Sequence, residues 1–342
     1  MPLDRQFISF AQNAEDVVLW RALGHVHKGR YVEVGANDPV ESSITRAFYA
    51  RGWTGVEIEP VTEFADAYRR ERPNDIVVQA AVADTDEESV TLHVVDGTGL
   101  STLDPDIADR HRRTGWTTRE EQVPARRLDD VLAEHLTPED DVHFMVVDVE
   151  GAEASVLASV DLTRWRPWVL VVEATAPNTS RPTHEEWEGR LLDAGYVFCL
   201  FDGLSRFYVA QEHAAELQAA LSAPSSPLDE YTPHAEYRLQ EELASTRALL
   251  DAAQQEASAA RDEASLTRRA HDELLDELIR WRGSVLDRWT QAAGGGSAAV
   301  EGKPGHEVVR LRRELAATQA TVSWRVTAPL RAVQSRRLRG WR

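Results

Sequence analysis

Short apolar runs alternate with helix-like stretches over the first 207 residues, and this alternation limits the fold more than any other feature of the chain. The apolar runs lack a strict in-out alternation, which is typical of strands covered on both faces of a sheet. The pattern predicts a doubly wound α/β sheet, in which ligands bind at the carboxyl ends of the strands. The predicted strands are Tyr31–Gly35, Thr54–Ile58, Ile76–Val82, His143–Asp148, Trp168–Glu173, Tyr196–Phe201 and Arg206–Ala210. The predicted helices are Glu15–Leu23, Ser42–Arg51, Thr62–Glu71, Leu128–Leu136, Glu153–Val160 and His184–Ala194.

Composition divides the remainder of the chain into further segments. The polar region Asp96–Gln122 has neither period and is predicted to be an irregular excursion over the ligand-binding face. The run Ala223-Pro-Ser-Ser-Pro227 marks a linker. We therefore predict an α/β domain at 1–222, a linker at 223–235, a coiled coil at 236–290, a Gly-rich break at 291–304, and a short helix with a basic tail at 305–342.

A seam of residues with alternating spacings of four and three follows the predicted linker. With charged residues between its members, this spacing predicts a coiled coil and, through it, a homo-oligomer. The alanines in the middle of the seam bury little surface, so a single long solvated helix is the alternative. The seam consists of Leu239, Leu243, Thr246, Leu250, Ala253, Ala257, Ala260, Ala264, Thr267, His271, Leu274, Leu278, Trp281 and Val285.

Charge and cysteine count exclude several classes of protein. The net charge of −19, from 38 basic and 57 acidic residues, argues against a nucleic-acid binder. Cys199 is the single cysteine, which excludes an intramolecular disulfide and a cysteine zinc cluster. No apolar window reaches the ~18 residues that a membrane span needs, and no signal peptide is visible. A cytoplasmic protein is therefore expected.

The first predicted strand contains an acid, Glu33, and runs into a single glycine, Gly35. The G-x-G-x-x-G pattern of a dinucleotide cradle is missing. An acid two residues before the glycine repels a phosphate and attracts a cation. The sulfonium and α-amino groups of S-adenosylmethionine are both cationic, so this strand favours that cofactor. The alternative is that Glu33 is a surface residue at the sheet edge.

The second and third predicted strands add adenosine contacts. Glu59 ends the second strand 24 positions after Gly35, the spacing at which a carboxylate accepts hydrogen bonds from ribose hydroxyls. Small residues from Ala80 to Asp84, including Ala81, are suited to flank an adenine ring with their backbone. These positions predict the ribose and adenine ends of the site.

The fourth predicted strand runs into a cluster of acids, V146-V-D-V-E-G-A-E153. Asp148 and Glu150 alternate and are predicted to face the cleft. Gly151 permits the turn into a helix that begins with Glu153, an acid well placed at a positive helix terminus. Asp148 and Glu150 are therefore candidates for the reaction site, whereas Glu153 reads as structural.

These residues carry a resemblance to a known family. Tyr31-Val-Glu-Val-Gly-Ala-Asn-Asp-Pro39, Glu59 in Ile58-Glu59-Pro60 and the run from Val146 to Glu153 resemble the FkbM family of S-adenosylmethionine-dependent O-methyltransferases. The runs Phe10-Ala-Gln-Asn-Ala-Glu-Asp16, Thr98-Gly-Leu-Ser-Thr-Leu103, Glu173-Ala-Thr-Ala-Pro177 and Phe201-Asp-Gly-Leu-Ser-Arg-Phe207 are similar to its branch in bacterial surface-polysaccharide gene clusters. The resemblance covers roughly residues 5–212. It implies the class I methyltransferase sheet, which is Rossmann-like and seven-stranded with a reversed last strand.

The resemblance also implies roles for individual residues. Gly35, Ala36 and Asn37 would line the methionine end of the cofactor, with Glu33 near its amino group. Glu59 would hold the ribose, and Asp84 or its neighbours the adenine.

Methyl transfer to a hydroxyl requires alignment and removal of the hydroxyl proton. The candidates for the general base are Asp148 and Glu150, with His184 as the alternative. The same two carboxylates are also suited to chelate Mg²⁺, and the sequence does not separate these mechanisms. Candidate contacts to an acceptor sugar are hydrogen bonds with Glu173, Asp202 and Arg206 and ring stacking on Trp187.

The end of the chain is basic and contains a second motif that resembles a known type of protein. Ser323-Trp-Arg-Val-Thr-Ala-Pro-Leu-Arg331 is similar to an ending of bacterial polysaccharide-assembly proteins. After Glu314 the chain has six arginines and no acid, so this tail is predicted to meet an anionic membrane surface or an assembly partner. These features favour methylation of a bacterial surface glycan or its precursor. The alternatives are methylation of a small secondary metabolite, and a non-catalytic assembly scaffold.

Overall fold

The computed structural model describes residues 7–294 and 305–320. Its strands are β1 (Phe7–Ser9), β2 (Arg30–Val34), β3 (Thr54–Ile58), β4 (Ile76–Val78), β5 (Ala81–Val82), β6 (Ser89–Val94), β7 (Arg119–Arg126), β8 (Phe144–Val147), β9 (Val169–Glu173), β10 (Tyr196–Phe201), β11 (Ser205–Ala210) and β12 (Tyr231–Pro233). Its α-helices are α1 (Glu15–Leu23), α2 (Arg46–Tyr49), α3 (Thr62–Glu71), α4 (Pro105–Arg113), α5 (Leu128–His135), α6 (Glu153–Ala158), α7 (Glu188–Asp193), α8 (Ala214–Leu221), α9 (His234–Gly294) and α10 (Gly305–Ala320). Short 3₁₀ turns lie at His184–Glu186, Gln211–His213 and Pro227–Asp229.

Seven strands form the main sheet, in the order β10-β11-β9-β8-β2-β3-β4. The five strands from β9 to β4 pair in parallel, and β11 runs antiparallel to both of its neighbours. This arrangement confirms the predicted doubly wound α/β sheet with a reversed last strand. The predicted strand Ile76–Val82 is wrong in its second half, because Ala81–Val82 leaves the main sheet to pair with β7.

Both faces of the main sheet are covered, which explains why its strands lack a polar face. Val32 and Val34 of β2 pack in the core on one side. Tyr31 packs in the core on the other side, against Phe144. Successive side chains of a strand point to opposite faces, so Glu33 lies on the same side as Tyr31 and is enclosed by protein.

The region 96–122 is more regular than predicted. It holds α4 and the start of β7, which pairs with β6 and β5 in a second, three-stranded sheet. Asp104 caps α4 by accepting hydrogen bonds from the backbone N–H groups of Asp106 and Ile107, and Pro105 occupies the first helical position. Strand β7 escaped prediction because only Val123 and Ala125 of it are buried, which leaves no apolar run.

The run 223–235, predicted as a linker, is instead packed against the α/β domain. Strand β12 pairs in parallel with β1, and the Arg21 guanidinium hydrogen-bonds the Asp229 carboxylate at 3.1 Å. The His234 ring also stacks on Phe10, with the ring centroids 4.4 Å apart. The folded part of the α/β domain therefore extends beyond residue 222 as far as β12.

The chain divides into two compact units, Met1–Leu249 and Leu250–Arg342. The predicted coiled-coil segment forms the single helix α9, whose seam leucines are exposed, for example Leu239 at 65% and Leu278 at 52%. The coiled coil itself stays a prediction. Within residues 7–294 and 305–320, no helix is long and apolar enough to cross a membrane. The predicted basic tail from residue 321 onward, and residues 295–304 of the Gly-rich break, lie outside the described residues.

Candidate active site

A cavity opens at the carboxyl ends of β2, β3 and β8, where a doubly wound sheet places its ligands. The segment between β6 and α4 covers part of the cavity. The lining consists of Val34, Gly35, Asn37, Ile58, Glu59, Pro60, Val61, Phe64, Ala80, Ala81, Val82, Leu92, Thr98, Gly99, Ser101, Leu103, Asp148, Val149 and Glu150.

The turn after β2 requires a glycine at position 35. Gly35 has a φ of +85°, and a Cβ there would lie 1.7 Å from the carbonyl oxygen of Asp148. Asn37, two residues further on, also has a left-handed φ of +50°. Its Oδ1 is buried and has no hydrogen-bond partner within the described part of the chain. This turn is therefore a strained loop that offers an unused acceptor beside the cavity.

Glu59 is fixed by two backbone amides at the end of β3. Its Oε2 accepts a hydrogen bond from the Asn37 N–H at 2.8 Å, and its Oε1 accepts one from the Val61 N–H at 2.7 Å. Burial raises the pKa of this carboxyl to about 7, although the two amides oppose the shift. Each oxygen retains a further lone pair, so Glu59 is suited to accept hydroxyl hydrogen bonds from a ligand in the cavity.

Glu33 does not line the cavity; it belongs to a buried polar network between β2, β3 and α3. Its Oε2 accepts a hydrogen bond from Thr45 Oγ1 at 2.6 Å. Arg72, with no exposed side-chain surface, donates to Glu57 at 2.8 Å and to the same Thr45 hydroxyl at 2.6 Å. The cation that Glu33 faces in this structure is therefore the chain's own arginine.

Two carboxyls share one guanidinium in this network. Burial raises the pKa of Glu33, and Arg72 opposes that rise. Burial, followed by repulsion from Glu33, raises the pKa of Glu57 well above its ordinary value. The hydrogen-bonding interaction between the two carboxyls raises the pKa of Glu57 and lowers that of Glu33, so we assign the shared proton to Glu57. The network then carries one carboxylate and one guanidinium.

Of the remaining residues predicted to bind the cofactor, one lines the cavity, one is buried behind it and one is exposed away from it. Ala81 lines the cavity, as predicted for the adenine end. Ala36 is buried behind it, where its carbonyl accepts a hydrogen bond from the Tyr68 hydroxyl at 2.8 Å. Asp84 is exposed, lines no part of the cavity and forms an ion pair with Arg127. The structure therefore does not support the predicted contact between Asp84 and the adenine ring.

Asp148, Glu150 and Glu173 form a compact group, called here the acid cluster. One oxygen from each carboxyl lies within 4.8 Å of the others, because β8 and β9 are parallel neighbours that end at the same edge. Burial raises the pKa of all three carboxyls, and mutual repulsion raises it further for Glu150, to about 9, and for Glu173. Oε2 of Glu150 and Oε2 of Glu173 are buried and have no partner in the part of the chain described. Such an arrangement either shares protons or binds a divalent cation.

The loop after β8 holds Glu150 in a strained conformation. Glu150 has a φ of +52°, and its carbonyl accepts a hydrogen bond from Thr102 Oγ1 at 2.8 Å. Glu153 Oε1 accepts from the N–H groups of Gly151, at 2.9 Å, and Val149, at 3.3 Å. Glu153 therefore closes the turn at the start of α6, in keeping with its predicted structural role.

Two predicted contacts to the acceptor sugar, Arg206 and Trp187, and the alternative base His184 lie around Glu188 at the start of α7. Arg206 Nη2 donates to Glu188 Oε1 at 2.7 Å, and His184 Nε2 lies 3.9 Å from Glu188 Oε2. Trp187 is 3% exposed and packs in the core against Tyr208, because the apolar face of α7 covers the sheet. Its indole is a core side chain in this structure and presents no surface for ring stacking.

Asp202 occupies the turn between β10 and β11 and lies near Glu15, a buried acid that was not predicted as a site residue. Its Oδ1 accepts hydrogen bonds from the N–H groups of Leu204 and Ser205, and its Oδ2 is buried without a partner among the described residues. The neighbouring Glu15 is buried, and burial together with Asp202 raises its pKa to about 8. The sequence feature that could have indicated Glu15 is the run from Phe10 to Asp16, which resembles the polysaccharide branch of the FkbM family.

The segment between β6 and α4, which covers part of the cavity, contributes site residues that were not predicted individually. Thr98, Gly99, Ser101 and Leu103 line the cavity directly, and Gly99 lies against the side chain of Asn37. All four residues belong to the run from Thr98 to Leu103. This run has no helical or strand period, so the sequence did not predict which of its side chains face the cavity. The region predicted as an excursion therefore does reach the ligand-binding face.

The pKa of Glu59 predicts a pH-dependent affinity for a ligand with a ribose. Below pH 7 this carboxyl takes up a proton and loses an acceptor, so if the ligand is S-adenosylmethionine, as the sequence predicts, its affinity should fall as the pH drops from 8 to 6. Glu59→Gln should weaken binding about tenfold at pH 8 and remove most of this dependence. Calorimetry across this range checks both effects, with the exposed Glu63→Gln as the matched control. An unchanged pH profile in Glu59→Gln would count against the assignment.

Comparison with known proteins gives the following matches. Residues 33–198 match the family model described as the methyltransferase FkbM domain. The crystal structure of methyltransferase FkbM from Methylobacillus flagellatus KT is similar over 54% of this chain and 44% of that chain, with 16% sequence identity and a TM-score of 0.35. This chain thus spans less than half of the length of that solved protein. No curated protein matches the sequence.

The strand order and the cavity at the strand ends define a Rossmann-like α/β domain with a reversed last strand. Within that class, residues 33–198 match the methyltransferase FkbM domain. The resemblance predicted from the sequence motifs is thereby confirmed over these residues.

Proposed function

We propose that this protein is an S-adenosylmethionine-dependent O-methyltransferase. The observation that carries the proposal is one cavity with Gly35, Asn37 and Glu59 on its cofactor side and the acid cluster beside them. Methyl transfer to an alcohol requires a bound methyl donor and a hydroxyl held in line with it. The match of residues 33–198 to the methyltransferase FkbM domain supports methyl transfer.

The residues of the cavity fit the proposed cofactor. When bound, it supplies a methyl group on a positively charged sulfur. Gly35 leaves space for close approach of a ligand to the backbone, and Glu59 would accept hydrogen bonds from ribose hydroxyls. Asn37 Oδ1 is an unused acceptor suited to an α-amino group. Glu33 would act indirectly, by fixing β2 through its contact with Thr45.

For the acid cluster we favour a divalent cation such as Mg²⁺ over a free general base. Carboxyls whose pKa values are raised to about 9 or more are protonated near neutral pH and are poor proton acceptors. Three carboxyl oxygens within 4.8 Å of one another are the hard ligands that Mg²⁺ prefers, and a bound cation lowers the pKa of a hydroxyl beside it. His184 is tied to Glu188 and remains the alternative base.

The cation proposal predicts a response to metal in both stability and turnover. Mg²⁺ should raise the midpoint of thermal unfolding of the wild-type protein, and a chelator should reverse this and abolish turnover. Glu173→Gln should raise the Mg²⁺ concentration needed for half-maximal effect by about tenfold or more. Glu186→Gln, an exposed acid nearby, is the matched control. Turnover that is indifferent to chelator would restore the general-base mechanism.

The proposed acceptor is a hydroxyl of a bacterial surface glycan or of its precursor. The sequence runs shared with the polysaccharide branch support it, and so do Asp202 and Arg206, which lie at the same edge of the sheet as the acid cluster. The basic tail supports a location at the cytoplasmic face of a membrane, where lipid-linked glycans are assembled. That tail lies outside the described residues.

An acceptor assay tests this proposal. The full-length protein is incubated with S-adenosylmethionine and with nucleotide-linked sugars, lipid-linked sugars or small aromatic alcohols, and formation of S-adenosylhomocysteine is measured. We expect turnover with a sugar acceptor and a new O-methyl signal in its NMR spectrum. Turnover with the small aromatic alcohols alone would contradict the glycan assignment and leave the methyltransferase assignment standing.

A further inference from the structure

Helix α9 carries a repeated charge pattern beside its seam. Four glutamates are each followed, five residues later, by an arginine. The pairs are Glu242 with Arg247, Glu256 with Arg261, Glu263 with Arg268, and Glu277 with Arg282. All eight side chains are exposed, and none forms an ion pair within residues 7–294 and 305–320. These charges therefore have no ion-pair partner among the residues that the structure describes.

Stabilisation of a single helix does not explain a spacing of five. Side chains stabilise their own helix when they are three or four residues apart, because these positions lie on one face. A residue five positions on is rotated by roughly 140° around the axis, which separates the two charges. None of the four glutamates has an arginine four residues later, and only Glu277 has one three residues later, at Arg280.

The heptad register explains the spacing. With Leu239 at position d, the seam occupies a and d, all four glutamates fall at g, and all four arginines fall at e. In two parallel helices aligned in register, position g of one helix faces position e of the next heptad in the other. Each glutamate would thus meet an arginine. In an antiparallel pair, g faces g and e faces e, so like charges would meet throughout.

We infer that a second copy of this chain covers the seam of α9, parallel and in register, as a two-stranded coiled coil. The exposed leucines at both ends of the seam supply the apolar contact. The alanines between them allow the helices to approach closely, and the polar seam residues Thr267 and His271 hold the register at a cost in stability. The inference rests on α9 alone and is independent of the methyltransferase activity.

Charge reversal in the full-length protein tests the pairing. One variant carries E242R, E256R, E263R and E277R, and the other carries R247E, R261E, R268E and R282E. By sedimentation equilibrium we expect a wild-type dimer and a dissociation constant at least about 100-fold higher for each variant alone, because like charges then face each other in every pair. An equimolar mixture of the two should regain the wild-type affinity. A monomeric wild type, or variants that associate as well as it does, would overturn the inference.

Cysteine cross-linking tests the orientation. In a C199A background, A253C places a thiol at a seam position that faces its own counterpart only if the helices are parallel and in register. A248C, on the opposite side of the helix, is the matched control. We expect a disulfide-linked dimer under mild oxidation for A253C and none for A248C. A dimer in sedimentation that A253C fails to cross-link, or equal cross-linking of both variants, would contradict the parallel arrangement.

Discussion

Asp148→Asn is expected to lower turnover by about 10³-fold, because it removes a charge from the acid cluster at the point where the acceptor hydroxyl must lose its proton. The loss is expected whether the cluster binds a cation or acts as a base. Affinity for S-adenosylmethionine should change by no more than about threefold, because the cofactor contacts proposed above lie mainly on Gly35, Asn37 and Glu59.

The two effects are separated by measuring turnover at saturating cofactor and cofactor affinity by calorimetry on the same preparation. The exposed Asp86→Asn is the control for general effects of losing a carboxylate. If Asp148→Asn kept turnover within about tenfold of wild type, the acid cluster would not be the reaction site.

Arg72→Met is expected to lower the free energy of unfolding by about 3–5 kcal/mol, because it leaves the buried carboxylate of Glu33 without its guanidinium. The deficit should depend on pH. Without Arg72, the folded-state pKa of Glu33 rises further above its unfolded value, so the folded variant is stabilised by a proton at low pH and loses that stability as the pH rises. Denaturant titrations at pH 5.5 and pH 8 should therefore show the smaller deficit at pH 5.5.

Glu57→Gln is the matched control for this network. If Glu57 is protonated and donates to Glu33, as assigned, a glutamine amide can donate in its place while its oxygen still accepts from Arg72. The free energy of unfolding should then change by less than about 1 kcal/mol. A loss as large as that of Arg72→Met would show that both carboxyls are ionised.

The main sheet could be predicted because its strands are buried on both faces. β8 and β9 consist almost entirely of apolar residues, and such runs stand out against the polar helices between them. Among the segments that escaped prediction, β7 and β12 are short or half exposed and have no apolar run. They are ordered by pairing with distant strands, which no local pattern records.

The location of the site at the strand ends could be predicted because the strands are parallel. Asp148, Glu150 and Glu59 follow strands that a parallel sheet brings to one edge. The direction of Glu33 was not predictable, because its partner Arg72 lies 39 positions away and reaches it only through the packing of α3. The burial of Trp187 was not predictable either, because it lies in the turn just before α7, where no helical period fixes the direction of a side chain.

Calorimetry with S-adenosylmethionine on the full-length protein tests the central claim most directly. We predict one binding site per chain, with an affinity that Glu59→Gln weakens and Glu63→Gln leaves unchanged. A dinucleotide such as NAD should not bind, because the turn after β2 has a single glycine in place of the dinucleotide pattern. Failure of S-adenosylmethionine to bind at any pH from 6 to 8, or tighter binding of NAD, would contradict the account.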